Sequence, residues 1–472
     1  MKLNNDNIKE TIDNAKALLA KEKNISPALR SVIKLLFIFM QAMLERFSLN
    51  SKNSSKPPSS DPNRKKSTAR NKSNKKAGGQ PGRIGKQLKP VMDPDKIEVL
   101  EIDKRTLPKD SYREDGFESR QVVDFEVSIC VTEYRAQVLI GSDGARYVAS
   151  FPEHVQRPIQ YGPKTKASAV YLSQFQLIPY ARIVDYFSEQ VGLNISQGSI
   201  FNFNKEAYEG LERFEEIAKS KLISSKCNSA DETGVNINGK RLWLHTVCND
   251  KWTHFFAHAK RGSEAMDAMG ILPKFHGVLC HDHWKPYYQY NCKHALCNAH
   301  HLRELEWAET EDKQGWALEM KNFLIQLNQQ VDAAGGELNA KQQMECRASY
   351  KALIIKAKIE CPTPDIEKAK KKRGRPKKSK SRNLLERFIN FEDDVLRFME
   401  DAKVPFTNNE GENDLRMTKV QQKISGCFRS EEGARIFCRV RAYLVTCRKH
   451  DIGPTEALET LFKGKLPDFC VC

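Results

Sequence analysis

The chain has 472 residues, 40% of them hydrophobic, which is ordinary for a globular protein of two to four domains and excludes a disordered or fibrous one. Its 13 cysteines, an odd number without paired spacing, exclude a disulfide scaffold and fit reduced thiols in a cytoplasm. The net charge of +17 is confined: residues 50–90 carry +11 and residues 368–382 carry +10, so +17 less these leaves −4 for the rest, and the basic character belongs to two polar segments suited to a polyanion.

Residues 1–49 are expected to be helical: Ile8 to Lys21, then a second helix starting near Pro27 with Val32, Leu35, Leu36, Phe39, Met43 and Leu44 at helical spacing. Such a stripe packs either within the chain or against a second copy, giving a homo-oligomer. The apolar run Leu35 to Met40 is far shorter than the ~20 residues of a spanning helix, so no membrane segment is expected, and no secretory signal. Residues 50–90 have almost no apolar side chains and are expected to stay flexible until DNA arrives; solvated linkers are the alternative. Residues 91–150 read as a small β module, clearest at 121–127 and 132–138. Residues 151–222 read as helices, with Ser196 capping one of them; both a helix-turn-helix and a plain helical unit packed on the core fit this pattern.

From Lys226 to Phe256, the turn signals Asn238-Gly239 and Asn249-Asp250 cut the chain into three β-rich segments, an antiparallel meander. Asp231 falls on the first strand, where a buried carboxylate is costly unless something binds it. A helix-like stretch, Arg261 to Ile271, precedes an apolar strand ending in Asp282. Three strands, a helix and a fourth strand open an RNase H-like fold, in which the first and fourth strands would bring Asp231 and Asp282 together. A third acid is available in Glu412, on a helix capped by Asn408 or Asn409, whose positions 412, 416, 419 and 423 share a face and so set Arg416, Lys419 and Lys423 beside it. Glu232 is an alternative to Asp231, and Glu410 and Asp414 are rivals to Glu412.

The predicted class is thus α/β (α+β): a catalytic core over residues 223–310 and 386–450, interrupted by a helical insertion over 311–385, with a C-terminal tail over 451–472. The insertion ends in a basic run whose Arg373-Gly374-Arg375-Pro376-Lys377 resembles an AT-hook for the minor groove; generic phosphate binding and a solvated linker remain open. Arg429, after the third acid, is a further candidate for positioning DNA.

Residues 53–61, Gly78-Gly79-Gln80-Pro81-Gly82, Val131 to Arg135, Tyr161-Gly162-Pro163, Ala230-Asp231-Glu232-Thr233, His281-Asp282-His283-Trp284, Cys297-Asn298-Ala299-His300 and Asn408 through Arg416 occur in order along the chain. Together they resemble the insertion-sequence-66 family of bacterial DDE transposases. The resemblance implies a zinc ribbon around residues 91–150, but this chain has Leu107-Pro108-Lys109-Asp110 and Gly141-Ser142-Asp143-Gly144 where the Cys pairs should lie, and Cys130 alone cannot hold zinc. It also implies that His300 and Arg303 stand beside the catalytic acids as supporting or DNA-contacting groups; Cys292, His294, Cys297, His300 and His301 suit zinc by type, but no second ligand pair follows, so no zinc is expected.

The implied chemistry is magnesium- or manganese-dependent cleavage and 3′-hydroxyl strand transfer at element ends, with Asp231, Asp282 and Glu412 holding two ions. The implied partners are the terminal inverted repeats, target DNA, further copies of the chain and accessory proteins of the same element, in a cytoplasmic, nucleoid-associated setting. A catalytically inactive, transposase-derived DNA-binding protein or repressor is the alternative from another class.

Overall fold

A computed structural model describes residues 5–22, 24–48, 88–113, 116–152, 155–363 and 378–471. Most of the basic segment 50–90, and Arg373, Arg375 and Lys377 of the AT-hook-like run, lie outside the described residues.

Helices α1 (Asn5–Lys21) and α2 (Pro27–Ser48) pair as a hairpin, with Ile12 and Leu19 buried and Arg30 Nη1 donating to the Leu19 carbonyl at 3.1 Å. The α2 stripe is open: Val32, Leu35, Leu36, Phe39 and Met43 are exposed. Counting the whole helix instead of its central run, the stretch Pro27–Leu44 is long and apolar enough to cross a membrane by length and composition. A helix that packs on a second copy has the same composition.

The small β module departs from expectation. Among the described residues of this module only β1 (Val138–Ile140) and β2 (Arg146–Val148) pair, antiparallel, while residues 121–127 and 132–137 form no strand. Val123, Phe125 and Val127 are exposed, so the 121–127 segment has alternation but, among the described residues, no second layer to cover it. A ribbon held by metal loses its fold with its ligands.

The centre is a five-stranded mixed sheet: β3 (Cys227–Ile237), β4 (Lys240–Cys248), β5 (Thr253–His258), β6 (Val278–His281) and β7 (Lys293–Leu296), ordered β5-β4-β3-β6-β7. The meander β3-β4-β5 is antiparallel, turning at Asn238 and Gly239, both at positive φ. β6 lies parallel to β3, reached through α7 (Ser263–Met269), so the first and fourth strands of the sheet are neighbours.

Helices cover both faces. Along β6, Leu279 joins one core and Val278 and Cys280 the other, as the two-residue period of a strand requires. The first core takes α3 (Pro163–Val170), α4 (Tyr180–Tyr186), α5 (Gln197–Gly210, capped by Ser196) and α6 (Glu212–Ile223). The second takes α8 (Asn298–Thr310), α9 (Gly315–Ala333), α10 (Ala340–Glu360), α11 (Lys380–Asn390) and α12 (Glu392–Leu396), around Trp316, Tyr350 and Phe388. Helix α13 (Asn409–Ser425) lies along β3, and α14 (Glu431–Lys449) and α15 (Pro454–Phe462) complete the first core. Residues 163–223 are therefore a helical unit sharing the core: Arg441 Nη1 donates to the Phe175 carbonyl at 2.8 Å, and Arg439 Nε pairs with Glu215.

Candidate active site

β6 accompanies β3 only through Cys227–Ser229, so from Ala230 onward the β3 edge would be bare. Helix α13 covers it with side chains: Asn408 Nδ2 donates to the Ala230 carbonyl at 2.9 Å and Lys419 Nζ to the Gly234 carbonyl at 2.7 Å. Asn408 precedes the helix as its sequence position predicts, yet its side chain does not cap it. The amide is turned to the strand instead, and Gly411 permits this, because a Cβ there would stand 3.0 Å from Asn408 Oδ1.

The arrangement gathers the three predicted acids. Asp231 sits where β6 has ended, Asp282 immediately follows β6, and Glu412 is in the first turn of α13. Burial pushes the Asp231 carboxyl well above its ordinary range, and the charges of Glu232, Asp282 and Glu412 push it further in the same direction. Asp282 Oδ1 accepts the Trp284 N–H at 3.1 Å, which fixes the loop after the strand.

The alternatives have other partners. Glu232 is buried and accepts from Arg261 Nε at 2.9 Å and Nη2 at 2.6 Å on one oxygen and from Tyr287 OH at 2.6 Å on the other. Glu410 Oε1 pairs with Lys449 Nζ at 2.7 Å, and Asp414 Oδ2 accepts from Thr253 Oγ1 at 2.9 Å. By contrast, the buried Oε1 of Glu412 has no hydrogen-bond partner among the described residues. It faces His300 Nδ1, likewise buried and unpartnered, at 3.7 Å, while its Oε2 is 3.8 Å from Arg303 Nη2.

The other predicted residues divide into two groups. Lys419 lies against β3, where burial and the nearby Arg241 cation lower its pKa. Arg416, Lys423 and Arg429 are exposed. Phe428, before Arg429, exchanges backbone hydrogen bonds with Asn236 and Asn238, which sets Arg429 beside the β3–β4 turn.

Sequence reasoning missed a stack next to the acids. The Arg241 guanidinium lies 4.8 Å from the Trp243 ring centroid, Arg261 lies 4.8 Å from the same ring, and Arg261 also lies 4.3 Å from the Trp284 ring. Gly234, opposite Trp243, leaves room for Arg241: a Cβ there would meet Arg241 Nε at 3.0 Å. The alternation Arg241-Leu242-Trp243 marks two of these as sharing a strand face; Arg261 and Trp284 come from separate segments with no common period. Sequence spacing also hid the partner of Cys297 and His300, since one donor atom each of Cys297, His300 and Glu412 lie within 4.8 Å of one another.

Among known proteins, a family model described as Transposase IS66 family matches residues 158–436. Another, described as a family of unknown function (DUF6444), matches residues 5–89. No curated protein matches the chain.

Proposed function

The chain belongs to the IS66 family of transposases, and on that premise we propose that it is a DDE-type enzyme that cleaves DNA at the ends of an insertion sequence and joins the freed 3′ ends to target DNA. The observation that carries this is the convergence of Asp231, Asp282 and Glu412 at one sheet edge, with their charges acting together on Asp231. The strand order β5-β4-β3-β6-β7 and the long segment between Asp282 and Glu412 support an RNase H-like core interrupted by a helical insertion.

The residues fit divalent magnesium or manganese. They are oxygen donors, and the negative charge clustered around the buried Asp231 calls for a cation. Two such ions would polarise the phosphodiester and activate the attacking oxygen. The chain's own groups bind and orient the strand. Arg416 and Lys423 share the exposed face of α13 for phosphate contact, while Arg303 and His300 flank Glu412. The Arg241–Trp243–Arg261–Trp284 stack offers guanidinium charge and aromatic surface to the strand entering the site. Water opens the phosphodiester at the element end and leaves a 3′-hydroxyl; that hydroxyl then attacks a target phosphodiester, displacing one target 3′-oxygen. No covalent protein–DNA intermediate is required.

The exposed α2 stripe supports assembly of further copies around two DNA ends. The exposed residues 121–127, which form no strand, favour one rival reading, a DNA-binding protein without catalysis. A nicking assay on DNA carrying the element ends, with magnesium, separates the two. Wild type should nick and Asp231→Asn should bind without nicking, a loss on the order of 10³-fold, or about 4 kcal/mol. Binding without nicking by the wild type would overturn the enzyme reading.

A further inference from the structure

Cys297 and His300 stand one helical turn apart at the start of α8, and Glu412 approaches them from the first turn of α13. Donor atoms of all three lie within 4.8 Å of one another. Two of the atoms, His300 Nδ1 and Glu412 Oε1, are buried, face each other at 3.7 Å and have no hydrogen-bond partner among the described residues. Buried polar atoms left so are costly, and here both belong to metal-ligating groups. The sulfur of Cys297 is itself buried and accepts the Asn408 N–H at 3.1 Å, a bond that orients a thiolate ligand.

We propose that Cys297, His300 and Glu412 bind a thiophilic divalent cation of the zinc type, tying α8 to α13 and leaving a fourth position for water. Tetrahedral zinc with sulfur, nitrogen and oxygen ligands sets its donors about 3.3–3.6 Å apart; the His300–Glu412 pair, at 3.7 Å, lies just outside that span, and the set as a whole, within 4.8 Å, would draw in on the ion. Sulfur and imidazole donors select such a cation over magnesium, which prefers oxygen alone. The other Glu412 oxygen, 3.8 Å from Arg303 Nη2, is left for the magnesium of the proposed function, so the carboxylate would bridge the two sites. The missing second Cys/His pair in the sequence is thus replaced by an acid from more than a hundred positions downstream.

Cobalt(II) serves as the probe, because thiolate ligation gives a sulfur-to-cobalt charge-transfer band that oxygen-only ligation does not. The full-length reduced protein should take up one equivalent with that band, and added Zn²⁺ should displace it and raise the melting temperature. Cys297→Ala should abolish the band, and His300→Ala should weaken Co²⁺ binding by more than about 100-fold, since even supporting partners of a metal site cost about 10–100-fold. Asp231→Asn should keep the band while losing nicking, which separates this site from the magnesium reading. The proposal is overturned if the wild type shows no thiolate band, or if the folded Cys297→Ala or His300→Ala protein binds Co²⁺ as the wild type does.

Discussion

Asn408 donates its side-chain amide to the carbonyl of Ala230, 178 positions earlier, and so ties the residue before the Glu412 helix to the residue before Asp231. The bond spans the two halves of the acid cluster and is buried. Asn408→Ala leaves the strand carbonyl unpaired, a cost of about 1–3 kcal/mol for a buried acceptor. The urea midpoint should fall accordingly. Nicking under native conditions should drop about tenfold, because the helix no longer holds its register on the strand. Full nicking in a destabilised Asn408→Ala protein would show that the bond supports the fold alone.

The three acids of the α13 first turns make opposite predictions. Glu410 and Asp414 are tied to Lys449 and Thr253, which join the helix to α14 and β5. Glu410→Gln and Asp414→Asn should each lower stability by about 1 kcal/mol and leave the nicking rate within roughly threefold of wild type. Glu412→Gln should reverse the pattern, keeping the melting temperature and losing nicking. A nicking-dead Asp414→Asn with an active Glu412→Gln would move the third acid to Asp414.

Much of the core was legible because its signals are local. The Asn238-Gly239 turn, the β-rich segments on either side of it and the apolar run into Asp282 each occupy a few neighbouring residues, and each produced the expected element. The three-and-four spacing from Glu412 likewise produced α13. What stayed hidden depends on distant packing. Nothing near Asn408 in sequence shows that its amide turns to Ala230, nor that Glu412 completes the Cys297–His300 pair. The expected strands at 121–127 failed for the complementary reason. Val123, Phe125 and Val127 alternate correctly, but no layer among the described residues buries them.

His254 gives the fold a pH dependence. Burial lowers its pKa from 6.5 to about 4, although Glu215 pulls the other way, and its Nε2 has no hydrogen-bond partner among the described residues. Between those two values the unfolded chain binds the proton and the folded chain does not. Stability is therefore full above 6.5 and is lost as pH falls toward 4, by about 2 kcal/mol between pH 6.5 and about 5. His245, lowered to about 4 mainly by burial, acts in the same direction. Thermal melts over this range should show a slope that His254→Gln reduces without abolishing. An unchanged slope would mean that His254 does not carry this proton uptake.

The arginine–tryptophan stack should act on DNA and hardly at all on the fold. Arg241 is exposed, and its guanidinium rests on Trp243 only because Gly234 across the strand pair has no side chain. A Cβ at Gly234 meets the end of a flexible side chain, so Gly234→Ala should cost less than about 1 kcal/mol while displacing the guanidinium. If the stack holds the strand entering the site, Gly234→Ala and Arg241→Ala should weaken binding of element-end DNA to a similar degree, about three- to tenfold. The double variant should be no worse than Arg241→Ala alone, because both remove the same contact. Arg261→Ala should cost stability as well, since it strips Glu232 of its cation. Fluorescence anisotropy at two salt concentrations checks the set: losing one phosphate-facing charge lowers the salt dependence of binding, whereas a purely structural stack leaves it unchanged.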